Sequence, residues 1–182
     1  MRALNLSEIQ GVRLVQAISN QDLRGQFIKL HPHNLLTTKI DSIAISLNPT
    51  VGTIRGLHFQ VEPYAEEKIV SCIRGATCEV ILDIRPNSKS FGRFATFQLS
   101  EEIPEQLYLP KGIAHGFQTL LPNTVIHYIL TSQYSQNSSF SIDSFSLAEF
   151  NWPIDDFTIS EKDRNGISVR EAAQKYAASI AD

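Results

Sequence analysis

The 182-residue chain is predicted to be an all-β protein, a β-sandwich or jelly roll, with one helix at its C-terminal end. Short apolar stretches recur along the chain and are separated by turns rich in Gly and Pro. No stretch shows the alternation of strands and helices that builds a parallel sheet. Ten Phe and five Tyr residues add to the β character. These observations favour two packed sheets within a single domain spanning residues 1–182.

The N-terminal part is predicted to contain three strands. Residues 12–18 form the first, and a turn over residues 20–22 leads to the second at residues 24–28. A polar break at residues 31–34 contains a proline and interrupts the sheet. Apolar residues then recur over residues 40–47, which predicts a third strand ending before an Asn-Pro pair.

The middle of the chain is predicted to be a run of strands joined by tight turns. Residues 52–60 form one strand, and a loop at residues 61–66 leads to the next. Arg74-Gly75-Ala76 is typical of a hairpin turn, because glycine adopts positive φ at little cost. The remaining strands are predicted at residues 68–73, 78–84, 91–99, 106–109, 115–120 and 125–131.

Only the C-terminal end is predicted to be helical, over about residues 168–181. Ser168 followed by Glu171 fits a capping box. Val169, Ala172 and Tyr176 recur at helical spacing, so one side of the helix is apolar. This helix is expected to pack its apolar side against the sheets.

Composition excludes several partners. Lys and Arg number 16 against 19 Asp and Glu, and no basic stripe marks a nucleic-acid surface. No apolar segment approaches the roughly 18 residues that span a membrane, and the N-terminus lacks the apolar run of a signal peptide. Cys72 and Cys78 are predicted to be reduced core thiols. The sequence therefore predicts a cytoplasmic protein with neither nucleic acid nor membrane as a partner.

The strand at residues 52–60 carries the first candidate site residues. Arg55 and His58 lie close in sequence to Lys68, with apolar residues between them. An imidazole beside fixed positive charge in a partly dry cavity suits removal of a proton from carbon and stabilisation of the resulting oxyanion. The simpler alternative is a strand with one partly buried histidine and two solvated cations. On a regular strand Arg55 would face away from His58, unless the strand bends at Gly56.

Three later residues strengthen the catalytic interpretation. His115 lies between two small residues after a tight turn, Tyr128 shares a strand face with apolar residues, and Asp163 follows near the C-terminal helix. Their structural alternatives are a histidine bonded to a turn carbonyl, a core tyrosine and a turn-capping carboxylate.

A metal is not predicted. Metal-binding cupins use a His-x-His pair followed by a Glu and a further His. Here Gln60 stands two residues after His58, and Lys68 lies near the position of the acidic ligand. An ammonium group beside a dication is unfavourable, and two histidines alone make a poor ligand set. We expect neither a metal nor another cofactor.

Several stretches occur together in one order. These are Arg55-Gly56-Leu57-His58-Phe59-Gln60, Lys68-Ile69-Val70, Asp83-Ile84-Arg85 with Ser88 and Phe91-Gly92, Leu109 to Phe117, Tyr128, Trp152-Pro153 and Ser160-Glu161-Lys162-Asp163. From about residue 12 to residue 163 the chain resembles the dTDP-4-dehydrorhamnose 3,5-epimerase family. The resemblance implies a metal-free cupin jelly roll, a homodimer that exchanges its N-terminal strands, and a nucleotide-linked 4-keto-6-deoxyhexose as the substrate.

The resemblance also implies a role for each candidate residue. His58 would be the base that removes the proton α to the ketone, Asp163 would orient it, and Lys68 would hold the enolate oxygen. Tyr128 would return a proton from the opposite face. The substrate would be contacted by Arg24 and Arg55 at the nucleotide diphosphate and by Gln60 and His115 at the sugar.

Some positions depart from the family pattern. The usual Glu after the early Arg is Lys29, and a run of amide and hydroxyl side chains falls on Ile43, Ile45 and Leu47. The alternatives to a 3,5-epimerase are therefore a single-carbon epimerase acting at C3 or C5, a 3,4-ketoisomerase, and a nucleotide-sugar-binding cupin without turnover.

Overall fold

The computed structural model describes residues 8–30 and 35–181. Its strands follow the apolar alternation of the sequence, and turns with Gly or Pro separate many of them. The strands are β1 Arg13–Gln16, β2 Ile18–Asp22, β3 Gly25–Lys29, β4 Ser42–Asn48, β5 Thr53–Gln60, β6 Lys68–Arg74, β7 Ala76–Asp83, β8 Phe94–Ser100, β9 Glu105–Leu109, β10 Ile113–Thr119, β11 Thr124–Leu130, β12 Ser139–Ser141 and β13 Thr158–Ile159, and the helices are α1 Glu161–Arg164 and α2 Val169–Ser179.

Two sheets face each other. The first sheet has the order β1-β9-β6-β11-β4, and the second has the order β12-β5-β10-β7-β8 with β13 beside β5. Strands pair antiparallel, apart from β13, which runs parallel to β5. Val70, Leu107 and Ile126 of the first sheet meet Ile81 and Phe117 of the second in one core. The predicted all-β jelly roll is confirmed.

The C-terminal part of the chain covers the outer face of the second sheet. Leu57, Val80 and Leu82 point outward from this sheet and pack in one cluster with Trp152 and Tyr176. Helix α2 supplies Tyr176 and begins after Ser168, whose hydroxyl accepts a hydrogen bond from the Glu171 N–H at 3.2 Å. The predicted C-terminal helix is confirmed, with its regular part ending at Ser179.

The structure corrects two N-terminal predictions. The predicted strand at residues 12–18 is broken at Ala17, whose N–H donates to the Pro104 carbonyl at 2.7 Å. β2 then pairs with β3 instead of the first sheet, so residues 20–22 are strand and the turn lies at Leu23 and Arg24. The predicted polar break at residues 31–34 lies outside the described residues.

The prediction of helix only at the C-terminal end was incomplete. A single-turn helix, α1, precedes α2, and Ser160 caps it by accepting a hydrogen bond from the Asp163 N–H at 3.1 Å. A further 3-10 turn lies at Ser144–Ser146. Elements this short carry no detectable apolar periodicity. Within the described ranges, no helix is long and apolar enough to cross a membrane.

The Asp83-Ile84-Arg85 motif forms a structural cluster. The Asp83 carboxylate accepts hydrogen bonds from Arg85 at 2.8 and 2.7 Å and from the hydroxyls of Ser88 and Ser90 at 2.6 Å each. Burial alone would raise the pKa of Asp83, but these bonds outweigh it and lower the pKa. The motif thus fixes the loop after β7, and none of its residues lines the cavity between the two sheets.

Candidate active site

A cavity of about 310 Å³ opens between the two sheets. His58 of β5 and His115 of β10 line it from the second sheet, while Lys68 of β6 and Tyr128 of β11 line it from the first. Six of the eight predicted site residues line this cavity, namely Arg55, His58, Gln60, Lys68, His115 and Tyr128. Residues far apart in sequence therefore meet because two facing sheets bring them together.

A bulge at Gly56 turns Arg55 and His58 to the same side of β5. His115 of β10 pairs with His58, but Phe117 pairs with Arg55, so two residues of β5 oppose Gly116 alone. Gly56 has φ +105°, and a Cβ there would lie 2.6 Å from the His115 carbonyl oxygen. The strand thus bends at Gly56, which is the condition under which Arg55 does not face away from His58. The missing side chain of Gly56 leaves no room for a ligand, because the backbone of β10 fills that space.

His58 and Asp163 form a hydrogen-bonded pair. His58 Nε2 lies 2.6 Å from Asp163 Oδ1, and the same carboxylate accepts bonds from Ser141 Oγ at 2.8 Å and the Gly56 N–H at 3.2 Å. Asp163 lies in α1 and is buried, so it does more than cap a turn. Because an ionised carboxylate only accepts, Nε2 carries the proton and Nδ1 is left as the basic nitrogen.

Asp163 is ionised because its neighbours outweigh its burial. Burial raises the pKa, whereas the hydrogen bond and charge of His58 and the bonds from Ser141 and Gly56 lower it to about 2. A folded-state pKa below the unfolded value stabilises the fold above the unfolded pKa, and this stabilisation is lost as pH falls toward about 2. The contribution at neutral pH is about 2 kcal/mol.

Asp163→Asn is expected to remove this dependence of stability on pH. The free energy of unfolding of the wild type should fall between about pH 5 and about pH 3, and that of the variant should fall by about 1 kcal/mol less, since the other half of the effect lies below pH 3. Urea unfolding across this range measures the difference, with the exposed Asp155→Asn as the control. Identical pH profiles for Asp163→Asn and the wild type would contradict the assignment.

Tyr128 faces the cavity from the opposite sheet. It lies on β11, where its register partners are Ala44 and Val70. Burial raises the pKa of its hydroxyl, the nearby Glu79 carboxylate acts in the same direction, and Arg55 opposes them. The phenol therefore stays protonated at neutral pH and can donate a proton. Within residues 8–30 and 35–181, no hydrogen-bond partner is found for this hydroxyl.

Lys68 is paired inside the cavity. Its Nζ lies 2.9 Å from Glu66 Oε1, and the two side chains are 13% and 9% exposed. Both residues line the cavity, and we refer to this nearly buried region as its inner end. Sequence reasoning missed Glu66, whose only signal was its position two residues before Lys68.

His115 forms a second histidine–carboxylate pair. Its Nε2 lies 2.6 Å from Glu79 Oε2, and both side chains are buried. The Glu79 carboxylate also accepts a hydrogen bond from Thr77. This fixes the His115 ring, with Nε2 donating to the carboxylate. The sequence analysis did not identify Glu79, because polar and apolar residues alternate along β7 and a polar residue in such a pattern usually faces solvent.

The Gln60 amide holds two loops. Its Nε2 donates to the carbonyls of Tyr64 at 3.0 Å and Gln133 at 3.2 Å, and its Oε1 accepts from the Ser135 N–H at 2.8 Å. Both N–H groups are therefore in use. Gln60 lines the cavity as predicted, and its contact with a sugar stays a prediction.

The mouth of the cavity is positively charged. Arg55 is exposed there, and Asn48 Oδ1 accepts a hydrogen bond from its Nε at 2.9 Å. Lys162 of α1 is also exposed and lines the cavity. We refer to the region of Arg55 and Lys162 as the mouth. Lys162 belongs to a stretch that sequence reasoning singled out, but it received no role there.

Arg24 lies outside the cavity. It stands at the turn between β2 and β3, 90% exposed, with its guanidinium bonded to Asp22 at 2.6 Å. This hairpin pairs with neither of the two sheets. The Arg24 side chain does not line this cavity, and its contact with a nucleotide diphosphate stays a prediction.

Comparison with known proteins settles the family. The family profile described as dTDP-4-dehydrorhamnose 3,5-epimerase matches residues 6–171. The chain belongs to this epimerase family. The dTDP-4-dehydrorhamnose 3,5-epimerase of Sinorhizobium fredii is 35% identical over 178 residues, which cover 93% of this chain and 89% of that protein.

Solved structures of the epimerase family share the fold. The Bacillus anthracis dTDP-4-dehydrorhamnose 3,5-epimerase, solved with TDP and PPi bound, has a TM-score of 0.82 and 31% identity, covering 92% of this chain and 98% of that one. The Legionella pneumophila dTDP-6-deoxy-D-glucose-3,5-epimerase, in complex with dTDP-4-keto-L-rhamnose, has a TM-score of 0.82 and 29% identity, covering 88% and 89%.

The geometry in this epimerase-family chain suits proton transfer at carbon. A histidine backed by a carboxylate stands on one wall, a protonated phenol stands on the other, and an ammonium group lies at the inner end. Such a set can remove a proton, stabilise the carbanion as an enolate, and protonate the opposite face. Among the residues that the structure describes, no three His, Cys, Asp or Glu side chains form a group able to hold a metal ion.

Proposed function

We propose that this chain epimerises a nucleotide-linked 4-keto-6-deoxyhexose at C3 and C5, converting a dTDP-4-dehydro-6-deoxyglucose type of substrate to the dTDP-4-dehydrorhamnose type. Family membership supports this reaction class. The observation that carries it is the placement of His58 and Tyr128 on facing sheets around one cavity. Inversion needs a base and an acid on opposite faces of the sugar ring, since one group alone returns the proton to the face it came from.

His58 removes the proton. Its Nδ1 is the basic nitrogen, because Nε2 is bonded to Asp163. Asp163 orients the ring and stabilises the imidazolium that forms. A proton α to a ketone is a far weaker acid than an imidazolium, so an imidazole removes it only if the enolate is stabilised by more than about 5 kcal/mol.

Lys68 supplies that stabilisation. Its ammonium group is nearly buried, and charge acts more strongly in a cavity from which water is excluded. The ketone oxygen O4 would lie against Lys68 and gain negative charge as His58 takes the proton. The same enolate oxygen serves both C3 and C5, since both carbons are α to C4.

Tyr128 completes inversion by protonating the opposite face. Its raised pKa keeps the proton on the hydroxyl until the enolate draws it. A pure binding module has no use for an opposed acid and base, which favours catalysis over binding alone. The further alternatives remain a single-carbon epimerase and a 3,4-ketoisomerase.

Deuterium exchange tests the proposal. The protein is incubated in D2O with a dTDP-4-keto-6-deoxyglucose, and the product is analysed by NMR. Deuterium at C3 and C5 with inversion at both is the expected result. One labelled carbon indicates a single-carbon epimerase, a 3-keto product indicates the isomerase, and no exchange indicates a binding protein. Each of these three outcomes contradicts the proposal.

The mouth of the cavity is proposed to hold the diphosphate. Arg55 and Lys162 place two positive charges there, and two relatives of known structure bind TDP with PPi and dTDP-4-keto-L-rhamnose. Guanidinium and ammonium groups are the usual partners of phosphate oxygens. Asn48 pre-orients Arg55 for this contact through its 2.9 Å hydrogen bond.

In a homodimer that exchanges its N-terminal strands, Arg24 would contact the substrate bound in the partner's cavity. The β2–β3 hairpin is exposed on both faces, including Phe27, and offers an apolar surface to another chain. If the hairpin reaches the partner's cavity, Arg24 adds a third positive charge at its mouth. On β4, an edge strand, Ile43, Ile45 and Leu47 point away from the cavity and are 58–64% exposed, which suits a second contact between subunits.

Ile45→Lys is expected to convert the dimer to a monomer. A charged residue in the centre of an apolar contact is left unpaired when the surfaces meet, which disfavours association. Light scattering after size-exclusion chromatography measures the mass, with the exposed Ile180→Lys as the control. A monomeric wild type, or a variant with the wild-type mass, would contradict the proposed interface.

A further inference from the structure

The inner end of the cavity holds a carboxylate that the proposed reaction does not use. Glu66 pairs with Lys68 at 2.9 Å, and neither side chain is more than 13% exposed. Removal of a proton from carbon requires positive charge at the oxygen, and a negative charge beside Lys68 reduces that charge. The proposed reaction therefore does not explain why Glu66 is present at this position.

The position of Glu66 is fixed by its neighbour. The Glu67 carboxylate accepts hydrogen bonds from Thr37 Oγ1 at 2.6 Å, Thr38 Oγ1 at 3.1 Å and the Tyr108 hydroxyl at 2.8 Å. The Glu67 N–H donates to Thr131 Oγ1 at 2.8 Å. These bonds hold Glu67, the residue between Glu66 and β6, and so fix the backbone from which the Glu66–Lys68 pair is formed.

Charge is distributed unevenly along the cavity. The mouth carries the positive charges of Arg55 and Lys162, whereas at the inner end Glu66 neutralises Lys68. The proposed substrate has the same asymmetry, with a doubly negative diphosphate at one end and a neutral keto sugar at the other. An unpaired ammonium group at the inner end would attract the diphosphate, or any free phosphate, into the place of the sugar.

We propose that Glu66 is a specificity-determining residue that cancels the attraction of Lys68 for anions, so that the neutral sugar enters the inner end and the diphosphate stays at the mouth. This inference rests on the proposed function, in which Lys68 meets the ketone oxygen. Lys68 remains able to bond that oxygen, because an ammonium group has three donors and Glu66 Oε1 takes one.

Binding of inorganic phosphate tests the inference. Glu66→Gln keeps the shape of the side chain and removes its charge, so calorimetry should show phosphate binding about tenfold tighter than in the wild type. The gain should disappear when Lys68→Met is added. Glu66→Ala makes the same charge change without an amide and should show the same gain, which guards against a local effect of glutamine.

Glu62→Gln is the matched control. Glu62 also pairs with a lysine at 2.9 Å, but that pair, with Lys111, lies outside the cavity. The substitution changes the net charge equally and should leave phosphate affinity at the wild-type value. Phosphate affinity in Glu66→Gln no higher than in Glu62→Gln, or a gain that survives Lys68→Met, would overturn the inference. A wild type that exchanges no deuterium into a keto sugar refutes the proposed function instead, and the phosphate comparison still reports on Glu66.

Discussion

Replacing His58 with alanine is expected to abolish deuterium exchange at both C3 and C5 of a 4-keto-6-deoxyhexose. His58 lines the cavity, and its 2.6 Å bond from Nε2 to the ionised Asp163 leaves Nδ1 as the basic nitrogen. Loss of a general base costs about 10³-fold in rate. NMR in D2O measures both carbons in the same sample, so a common base for C3 and C5 predicts a loss at both.

The control for this prediction is His127→Ala. His127 neighbours Tyr128 on β11, points to the outer face of the first sheet and does not line the cavity. It should keep exchange near the wild-type rate. Exchange that persists at either carbon in His58→Ala, with the fold intact by circular dichroism, would show that a different base serves that carbon.

Tyr128→Phe is expected to separate proton removal from inversion. The variant keeps the His58–Asp163 pair and the Lys68 ammonium group, so the enolate still forms and takes deuterium from the His58 side. It lacks the phenolic proton on the opposite wall. Inverted product should fall about 10²-fold, while exchange with retained configuration falls less than about tenfold.

Tyr176→Phe serves as the control for that comparison. Tyr176 is buried between α2 and the second sheet, away from the cavity. Removal of its hydroxyl should leave both rates unchanged. An equal loss of exchange and inversion in Tyr128→Phe would show that Tyr128 is not the donor on the opposite face.

Much of the fold could be predicted because local pattern and packing agree. Apolar residues that alternate along the sequence, as in β7 and β11, were predicted to face a core, and they do so in the structure. The helix at the C-terminus follows its cap at Ser168. The prediction of one continuous strand over residues 12–18 was wrong. The strand breaks at Ala17 because of a hydrogen bond to Pro104, 87 residues later in the chain, and no local pattern contains that information.

The candidate site was predictable in its reacting groups and less so in their partners. The sequence pattern singled out His58, Lys68, Tyr128 and Asp163, and resemblance to the family gave them roles. Three of these line the cavity, with Asp163 directly behind His58. Ion-pair partners depend on how strands and loops pack. Glu79 behind His115 and Glu66 beside Lys68 are fixed by that packing.

Register also limited the prediction for the strand before the Arg-Gly-Leu-His element. Ile43, Ile45 and Leu47 fall where the family carries polar side chains, which indicated a changed pocket. In the structure they point outward, and Ser46 from the same strand lines the cavity. A one-residue difference in alignment exchanges the two faces of a strand, so an ungapped comparison assigns the wrong face.

The most direct test of the central claim is a crystal structure of the protein with a bound nucleotide 4-keto-6-deoxyhexose. We expect His58 Nδ1 and the Tyr128 hydroxyl on opposite faces of the sugar ring, with Lys68 Nζ within hydrogen-bond distance of O4. Both side chains on the same face of the ring, or a sugar bound outside the cavity between the two sheets, would contradict the account.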